Sequence, residues 1–483
     1  MPYTKPGVEI TQVQGTASPI LTAPSLNATV VGRPYYWLDI ASDEAVYATA
    51  YSGVSHEITV SGSFGTDSAT YNHIEDDDLV IVDLLATTGD AAGESRHLIK
   101  GTDFSVTTGA TSKITISGSL QINGSNVNTG TIRVGYRAKN AGATDKYHTL
   151  DSIDSIENAL GKIVSWNPLA YGAYLAQLNA SSIITAYGTE NTDGTALDDL
   201  FLKETYAMAF LDDDTDPATI KTHVETASSA TNKKERIGFV NKIIPWKDAS
   251  NAAGTAYSGN STAKGYTAAA IRDTNSGYGS KRVFSTFPDI AYVRETRHLS
   301  TTKVAFVDGA FANTTAVNFS TAELFCQLAS TTVANGKTFA AGTDITDAVW
   351  ADLNAENLQN IDVYAPVPGA YYAACSAGLV ISQTPEKPLT NMSIAGLVKV
   401  KGSQDFFTEG NLNTMAAGGT YIMTQDTDTG PIYCRHQVST NNTSVALREL
   451  SITKTIDYCS KFLRNGIKPY IGKNVISPAF IKL

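Results

Sequence analysis

Two hydrophobic periods follow one another along this chain of 483 residues, and the change between them restricts the possible folds most strongly. Over residues 52–140, short segments with apolar residues at every second position are separated by Gly, Ser, Asn and Asp, which predicts antiparallel strands. After residue 150, apolar residues recur at helical spacing, and short apolar strands alternate with helices. We therefore predict a β-rich module followed by an α/β layer with a largely parallel sheet.

Within the α/β layer, several segments predict particular elements. SIDSIENALGKIVSW places four apolar residues on one helix face, and NPLAYGAYLAQLNA predicts a helix with Asn167 as N-cap and Pro168 at its first position. DPATIKTHVETASSA and STAELFCQLAS predict further helices. GTYIMTQDTDTGPIYCRHQV predicts a hairpin, because its turn contains Asp, Gly and Pro.

Both ends of the sequence predict extended strands. Residues 1–34 contain five of the 16 prolines, which excludes helix. A strand that its own body cannot pair can be added to the sheet of a neighbouring subunit, and two such strands per chain would link subunits into a mesh. The residues predicted to make this inter-subunit strand donation are Val8, Ile10, Val13, Val475, Ile476, Phe480 and Ile481.

Charge is distributed unevenly along the chain. The net charge is −11, but residues 445–483 carry +5, which leaves −16 on the rest. The acidic total argues against general nucleic-acid binding. The basic C-terminal segment predicts an acidic partner surface, and a solvated helix face is the alternative.

A helix is predicted over residues 445–465, ended by a C-cap at Asn465-Gly466. Three basic residues lie off its apolar stripe and are candidates for contact with an acidic partner: Lys454, Lys461 and Arg464. The stripe is predicted to fix the helix to the domain and consists of Ile452, Ile456, Cys459 and Leu463.

The four cysteines are far apart and lie in apolar stretches, which predicts buried, reduced thiols. The N-terminal residues do not show a positively charged segment followed by an apolar one, so no signal peptide is expected. No run approaches 18 apolar residues, so no membrane insertion is expected.

Motifs that could support catalysis or ligand binding are incomplete. ACSAGL around Ser376 is similar to a nucleophile elbow but predicts the interior of a helix. NGKT at 335–338 lacks the first glycine of a phosphate-binding loop, and DTDTG at 426–430 lacks the final glutamate of a calcium loop, so both predict turns. The acidic runs at 75–78 and 212–216 are interpreted as solvated loops. We expect no catalytic residue, cofactor or metal site.

Several segments together resemble one protein family. YTKPGVEITQV resembles the PGVYVEE start of the contractile tail sheath proteins of bacteriophages. TLDSIDSIENALG, followed by NPLAYGAYLAQLNA and IITAYG, resembles their helix–helix–strand passage. RELSI and YIGKN near the C-terminus resemble their C-terminal pattern. The resemblance covers the first 35 residues, about 150–240 and about 365–483. The family has relatives in phage-tail-like bacteriocins and type VI secretion sheaths.

The resemblance implies a multidomain α/β and α+β protein: a conserved α/β sheath core with an inserted β-rich outer domain and extended, strand-donating arms. The implied division is an N-terminal arm at 1–34, a conserved C-terminal-type sheath domain at 35–51 and 390–469, an outer domain at 52–145, an α/β middle domain at 146–389 and a C-terminal arm at 470–483.

The resemblance also implies a function without catalysis. Subunits would form hexameric rings, stacked as a helix around a tail tube, and contraction would drive the tube through the host envelope. The implied partners are the tube protein, the baseplate and the tail terminator, with Lys454, Lys461 and Arg464 facing the tube. The sheath would be part of the virion and assembled in the host cytoplasm. The alternatives are another virion protein such as a baseplate component, an α/β enzyme, or a secreted β-rich adhesin.

Overall fold

The computed structural model of the chain describes residues 26–468 with internal gaps. The longer gaps are 39–48, 61–79, 108–111, 140–142, 190–193, 212–215, 242–267, 314–324 and 401–408, and the shorter ones are 90, 123, 181–182, 289, 300–301, 303, 308–309, 357, 359 and 428. Residues 26–454 form one compact unit, and residues 455–468 belong to a second one.

The described residues form a mixed α/β structure. Its strands are β1 (Ala28–Gly32), β2 (Tyr35–Leu38), β3 (Thr49–Tyr51), β4 (His56–Val60), β5 (Ile81–Thr88), β6 (Ser95–His97), β7 (Phe104–Thr107), β8 (Ser112–Ile116), β9 (Gln121–Ile122), β10 (Ser125–Asn126), β11 (Thr129–Lys139), β12 (Lys146–Leu150), β13 (Ile184–Gly188), β14 (Ala207–Phe210), β15 (Ile237–Val240), β16 (Val283–Phe287), β17 (Ile290–His298), β18 (Val304–Val307), β19 (Ala310–Asn313), β20 (Gln327–Leu328), β21 (Thr332–Ala334), β22 (Lys337–Phe339), β23 (Asn360–Pro368), β24 (Ser393–Ile394), β25 (Lys399–Val400), β26 (Thr420–Thr424) and β27 (Ile432–Cys434). Its helices are α1 (Ile153–Leu160), α2 (Pro168–Asn179), α3 (Gly194–Phe201), α4 (Pro217–Ala227), α5 (Ala268–Tyr278), α6 (Asp347–Ala355), α7 (Ala370–Ser382), α8 (Glu409–Ala417), α9 (Val445–Arg448) and α10 (Leu450–Ile467).

A nine-stranded sheet organises the compact unit, in the order β12-β13-β1-β14-β15-β16-β26-β27-β24. The five central pairings, from β13 to β26, are parallel, so the predicted largely parallel sheet is confirmed. Strand β1 lies between β13 and β14 and is fully buried. This corrects the predicted arm of residues 1–34, whose last part is a sheet strand because its apolar side chains are covered on both faces.

Helices α2 and α7 pack closely against each other, and the contact depends on small residues. Residues 370–380 of α7 are all buried, and most of α2 is buried as well. A Cβ added at Gly378 would lie 2.1 Å from the carbonyl oxygen of Ala176. Only glycine at this position therefore permits the backbones to approach this closely. Helix α2 begins at Pro168 after Asn167, as the sequence predicts.

One predicted helix is wrong. The described part of STAELFCQLAS, residues 325–330, contains strand β20 instead. Strand β20 pairs with β23 in a four-stranded sheet of order β20-β23-β17-β25, and the Gln327 amide donates to Asp344 Oδ1 at 2.8 Å. Pairing with a strand that is distant in sequence outweighs the local helical pattern here.

The β-rich segment has its own sheets and its own core. Strands β2, β11, β5 and β6, with β3, form one sheet, and β4, β8 and β7 form another. A cluster of buried side chains between Tyr51 and Tyr136 is separate from the main core. We call residues 35–139 the β module and the rest of residues 26–454 the α/β body. The sequence assigned 35–51 to a different domain, but β2 and β3 both pair with β11.

The ends of the β module are adjacent, so we expect it to be removable. Tyr35 and Lys139 are paired residues on β2 and β11, with their Cα atoms about 5 Å apart. Replacing residues 36–138 with a short Gly-Ser link should leave a soluble α/β body with its apparent thermal midpoint lowered by less than about 5 °C. Circular dichroism with thermal unfolding would measure this.

A deletion of residues 52–140 is the matched control. It retains β2 and β3 but removes their partner β11, so we expect aggregation or loss of soluble protein. Equal solubility of the two deletions would show that the module does not begin at Tyr35.

Candidate assembly surface

The residues predicted to donate strands lie outside the described residues. This applies to both ends of the chain, at Val8, Ile10, Val13, Val475, Ile476, Phe480 and Ile481. The predicted basic helix, residues 445–465, lies entirely within the described residues.

The predicted single helix of residues 445–465 is two helices. The short α9 ends at Arg448, Glu449 is extended with φ −82° and ψ 124°, and α10 begins at Leu450. Helix α10 continues through Asn465 and Gly466 to Ile467, so the predicted C-cap is wrong. A glycine three residues after the last stripe residue does not end the helix here.

Lys454 is buried inside the compact unit and does not lie on a polar surface, which corrects the sequence prediction. It is 1% exposed. Its Nζ donates to the carbonyl oxygens of Val380, Gln383 at 2.6 Å and Thr384 at 3.3 Å. Helix α7 ends at Ser382, so the ammonium satisfies carbonyl groups at and just beyond its C-terminus and interacts favourably with the helix dipole.

Burial also changes the ionisation of this lysine. Removal of water from around the ammonium lowers the pKa of Lys454 from 10.5 to about 8, while Glu386 acts in the opposite direction. The group remains mostly charged at neutral pH, and three carbonyl oxygens replace its hydration shell. Lys454 therefore has a structural role.

The apolar stripe of α10 is exposed, also contrary to the prediction. Of its four predicted residues, Ile456 and Leu463 are 53% and 59% exposed, Cys459 is exposed and Ile452 is half-buried. Ile467, one turn after Leu463, extends the exposed stripe. Apart from Leu450 at its start, the buried residues of the same helix are polar: Thr453, Lys454 and Asp457. An exposed apolar stripe on one helix face is typical of a surface that another protein covers.

The other two basic residues of the predicted set, Lys461 and Arg464, are half-buried. Each of them lies within two residues in sequence of the exposed side chains of Phe462 and Leu463. The described end of α10 thus combines an exposed apolar stripe with basic side chains beside it.

No protein-family model matches the chain, and no curated protein matches it in sequence. Among solved structures, the sheath tail protein of Desulfitobacterium hafniense aligns over 96% of this chain and 84% of its own, with 8% identity and a TM-score of 0.35. The sheath tail protein of Listeria innocua aligns over 93% and 79%, with 9% identity and a TM-score of 0.33. The contracted helical sheath of the anti-feeding prophage aligns over 71% and 70%, with 10% identity and a TM-score of 0.40.

This chain is similar to contractile sheath proteins. All three structures are named as sheath proteins or as a sheath. Their sequence identities to this chain are too low for the roles of individual residues to be transferred.

Ser376 lies in the middle of α7 and is fully buried. A nucleophile elbow requires a sharp turn between a strand and a helix, which exposes the serine. The predicted helical interpretation of ACSAGL is confirmed, and Ser376 has no access to a substrate.

The NGKT segment is a hairpin turn between β21 and β22, as predicted. Asn335 and Gly336 have φ values of 49° and 69°, as a two-residue turn of this kind requires. Lys337 pairs with Asp352 on α6 at 2.6 Å. The ammonium is thus bound to a carboxylate of the same chain, which leaves a structural role for this segment.

The acidic motifs give no metal site among the residues that the structure describes. Asp426 accepts a hydrogen bond from the Tyr433 hydroxyl across the hairpin of β26 and β27. Asp428 and the acidic runs 75–78 and 212–215 lie outside the described residues.

A cavity of about 540 Å3 lies beside β25, and its lining contains no described carboxylate, histidine, serine or cysteine. Its lining residues are Arg294, Gln327, Ala341, Gly342, Tyr364, Leu397, Val398, Lys399, Thr429, Gly430 and Pro431. Such a set offers neither a nucleophile with a base nor a pair of carboxylates.

Three cysteines are buried free thiols, as predicted: Cys326, Cys375 and Cys434. Cys459 is exposed, so the prediction for that residue is wrong.

Among the described helices, none is long and apolar enough to cross a membrane.

Proposed function

We propose that this chain is the structural subunit of a contractile tail sheath and has no catalytic activity. The observation that carries the proposal is the exposed apolar stripe of α10, which lies in the segment whose sequence most resembles the sheath family. Such a stripe is costly to leave in water, at about 25 cal/mol per Å2 of apolar surface, so it favours a chain that assembles.

The proposed occupant of this stripe is the tail tube protein. Lys461 and Arg464, on the same helix, suit an acidic tube exterior, whereas Lys454 is removed from the predicted tube-facing set. Each exposed charge pair contributes only about 0–1 kcal/mol, so the apolar contact supplies most of the affinity for the tube. Repetition over many subunits would make the total large.

The arms at the two ends of the chain are proposed to connect subunits. Added strands form backbone hydrogen bonds worth about 0.5–1.5 kcal/mol each, and two arms per chain extend the contacts into a mesh. The residues proposed to lie on the buried faces of these strands are Val8, Ile10, Val13, Val475, Ile476, Phe480 and Ile481.

At the level of the particle, we propose hexameric rings stacked in a helix around the tube. The rings would widen and the stack shorten on contraction, which would drive the tube through the host envelope. The baseplate and tail terminator would bind the two ends of the stack. Neither nucleic acid nor membrane insertion is part of this function, and assembly in the host cytoplasm would precede incorporation into the virion.

Electron microscopy of the purified chain tests the proposal. In negative stain we expect hollow, striated tubes from the full chain. Deleting residues 474–483 should abolish the tubes, because the donated strand is lost, while the truncated subunit keeps the apparent thermal midpoint of the full chain within about 2 °C.

Discrete closed particles from the full chain would contradict the sheath proposal and favour a baseplate component. Long tubes from the truncated chain would contradict strand donation by the C-terminal arm but leave the sheath function standing. An enzyme or a secreted adhesin would give neither tubes nor any effect of the truncation on assembly.

A further inference from the structure

A cluster of three side chains joins the β module to the α/β body. Asp83 on β5 and His97 on β6 are paired residues within the module, and His298 is the last residue of β17 in the body. His298 Nε2 lies 3.0 Å from Asp83 Oδ1, and the rings of His97 and His298 are in edge contact with centroids 5.4 Å apart. The cluster therefore connects two different sheets.

The imidazole ring of His97 is buried among groups that do not form hydrogen bonds with it. It is 1% exposed, and neither ring nitrogen has a hydrogen-bond partner in the part of the chain that the structure describes. Asn354 on α6 lies near the ring without meeting the geometry of a hydrogen bond. The nearby charges are those of Asp83 and of Arg96, which precedes His97 on β6 and pairs with a carboxylate of the module.

These surroundings oppose a charge on His97. The pKa of His97 is lowered from 6.5 to about 4, mainly by burial. The neighbouring His298 also lowers this pKa, and Arg96 does so to a smaller extent. Asn354 and the Asp83 carboxylate act in the opposite direction. The ring is neutral at pH 7 and accepts a proton only at considerable cost.

We propose that Asp83, His97 and His298 form an acid-sensitive latch, which holds the β module on the α/β body while His97 is neutral and releases it when His97 is protonated. A protonated His97 buries a positive charge and two N–H donors that meet no hydrogen-bond acceptor among the described residues. When the module separates from the body, water hydrates the charged ring. The latch concerns the single subunit and does not depend on the proposed function.

The Asp83–His298 contact joins the two sheets in the closed latch, because the imidazole nitrogen and the carboxylate oxygen lie 3.0 Å apart. The Asp83 carboxylate and Asn354 also offset part of the charge that a protonated His97 would carry, but burial has the larger effect on its pKa. Protonation of His97 therefore favours the open form.

The direction of the pH dependence follows from linkage. The pKa of His97 is lower in the closed latch than in the open one, so the open form binds more protons between pH 6.5 and about 4. The closed form loses stability as the pH falls through this window and changes no further below it. A difference of this size corresponds to at most about 300-fold in the closing equilibrium.

Hydrogen exchange of the full-length subunit measures the latch. Exchange of backbone amides in β5, β6 and β17, corrected for the intrinsic effect of pH, should increase as the pH falls from 7 to 4. In His97→Phe, which fills the same space without a titrating group, this increase should be lost or reduced at least tenfold. The wild-type dependence persisting in His97→Phe would overturn the proposal.

His223→Phe is the matched control. His223 is also buried, and burial lowers its pKa to about 4, but it lies on α4 with its Nε2 3.1 Å from Arg236 Nη1. Its replacement should leave the pH dependence of exchange in β5 and β6 unchanged. If His97→Phe does not fold, NMR titration of labelled histidine rings in the native chain decides the matter: a His97 pKa above 6 would overturn the proposal.

Discussion

Replacing Lys454 with glutamate should prevent stable folding of the compact unit. The substitution removes an ammonium that donates to three carbonyl oxygens and puts a carboxylate in the same buried position, facing the same acceptors. Losing one partner of a buried charged contact costs about 3–5 kcal/mol, and the repulsion adds to this. Because a domain is stable by only about 5–15 kcal/mol, we expect little soluble protein or an apparent thermal midpoint lowered by more than about 10 °C.

Lys461→Glu makes the same change of charge two turns further along α10 and serves as the control. Lys461 is only half-buried, so its replacement should cost much less stability than that of the buried Lys454. Under the proposed function it should weaken only the association with the tube. Equal stability of the two glutamate variants would contradict the structural role of Lys454.

Replacing Gly378 with alanine should lower stability by about 3 kcal/mol, which is large for the addition of one methyl group. The new Cβ would lie 2.1 Å from the carbonyl oxygen of Ala176, far below any van der Waals contact, and that atom belongs to the backbone of α2. Helices α2 and α7 would have to separate, with loss of contacts along both. Chemical denaturation followed by circular dichroism would measure the change in midpoint.

Gly277→Ala on α5 provides the matched control. A Cβ at Gly277 meets no atom within 4 Å, so alanine should be neutral or should stabilise the protein by about 0.5–1 kcal/mol. If Gly378→Ala behaved in the same way, the close contact of α2 and α7 would be looser than described.

The sequence by itself determined the elements with strong local patterns. The alternating segments of the β module, the helices α2, α4 and α7 and the hairpin of β26 and β27 agree with prediction. Helix α1 is also present but ends at Leu160, so Ile163, the last residue of its predicted apolar face, lies outside it. Hydrophobic period, proline position and turn residues act between near neighbours in sequence, so the chain needs no distant partner to specify these elements. The alternation of strands and helices likewise predicted the parallel sheet.

Only the tertiary structure decided which strands share a sheet and which face of a helix is buried. Strand β1 belongs to the centre of the nine-stranded sheet because β13 and β14, more than 150 residues away, pair with it. The prediction buried the apolar face of α10, but the body buries Lys454 instead, since carbonyl oxygens 70 to 74 residues away satisfy its charge. Hydrophobicity read along a sequence cannot show such compensation, because it depends on groups that only the fold brings together.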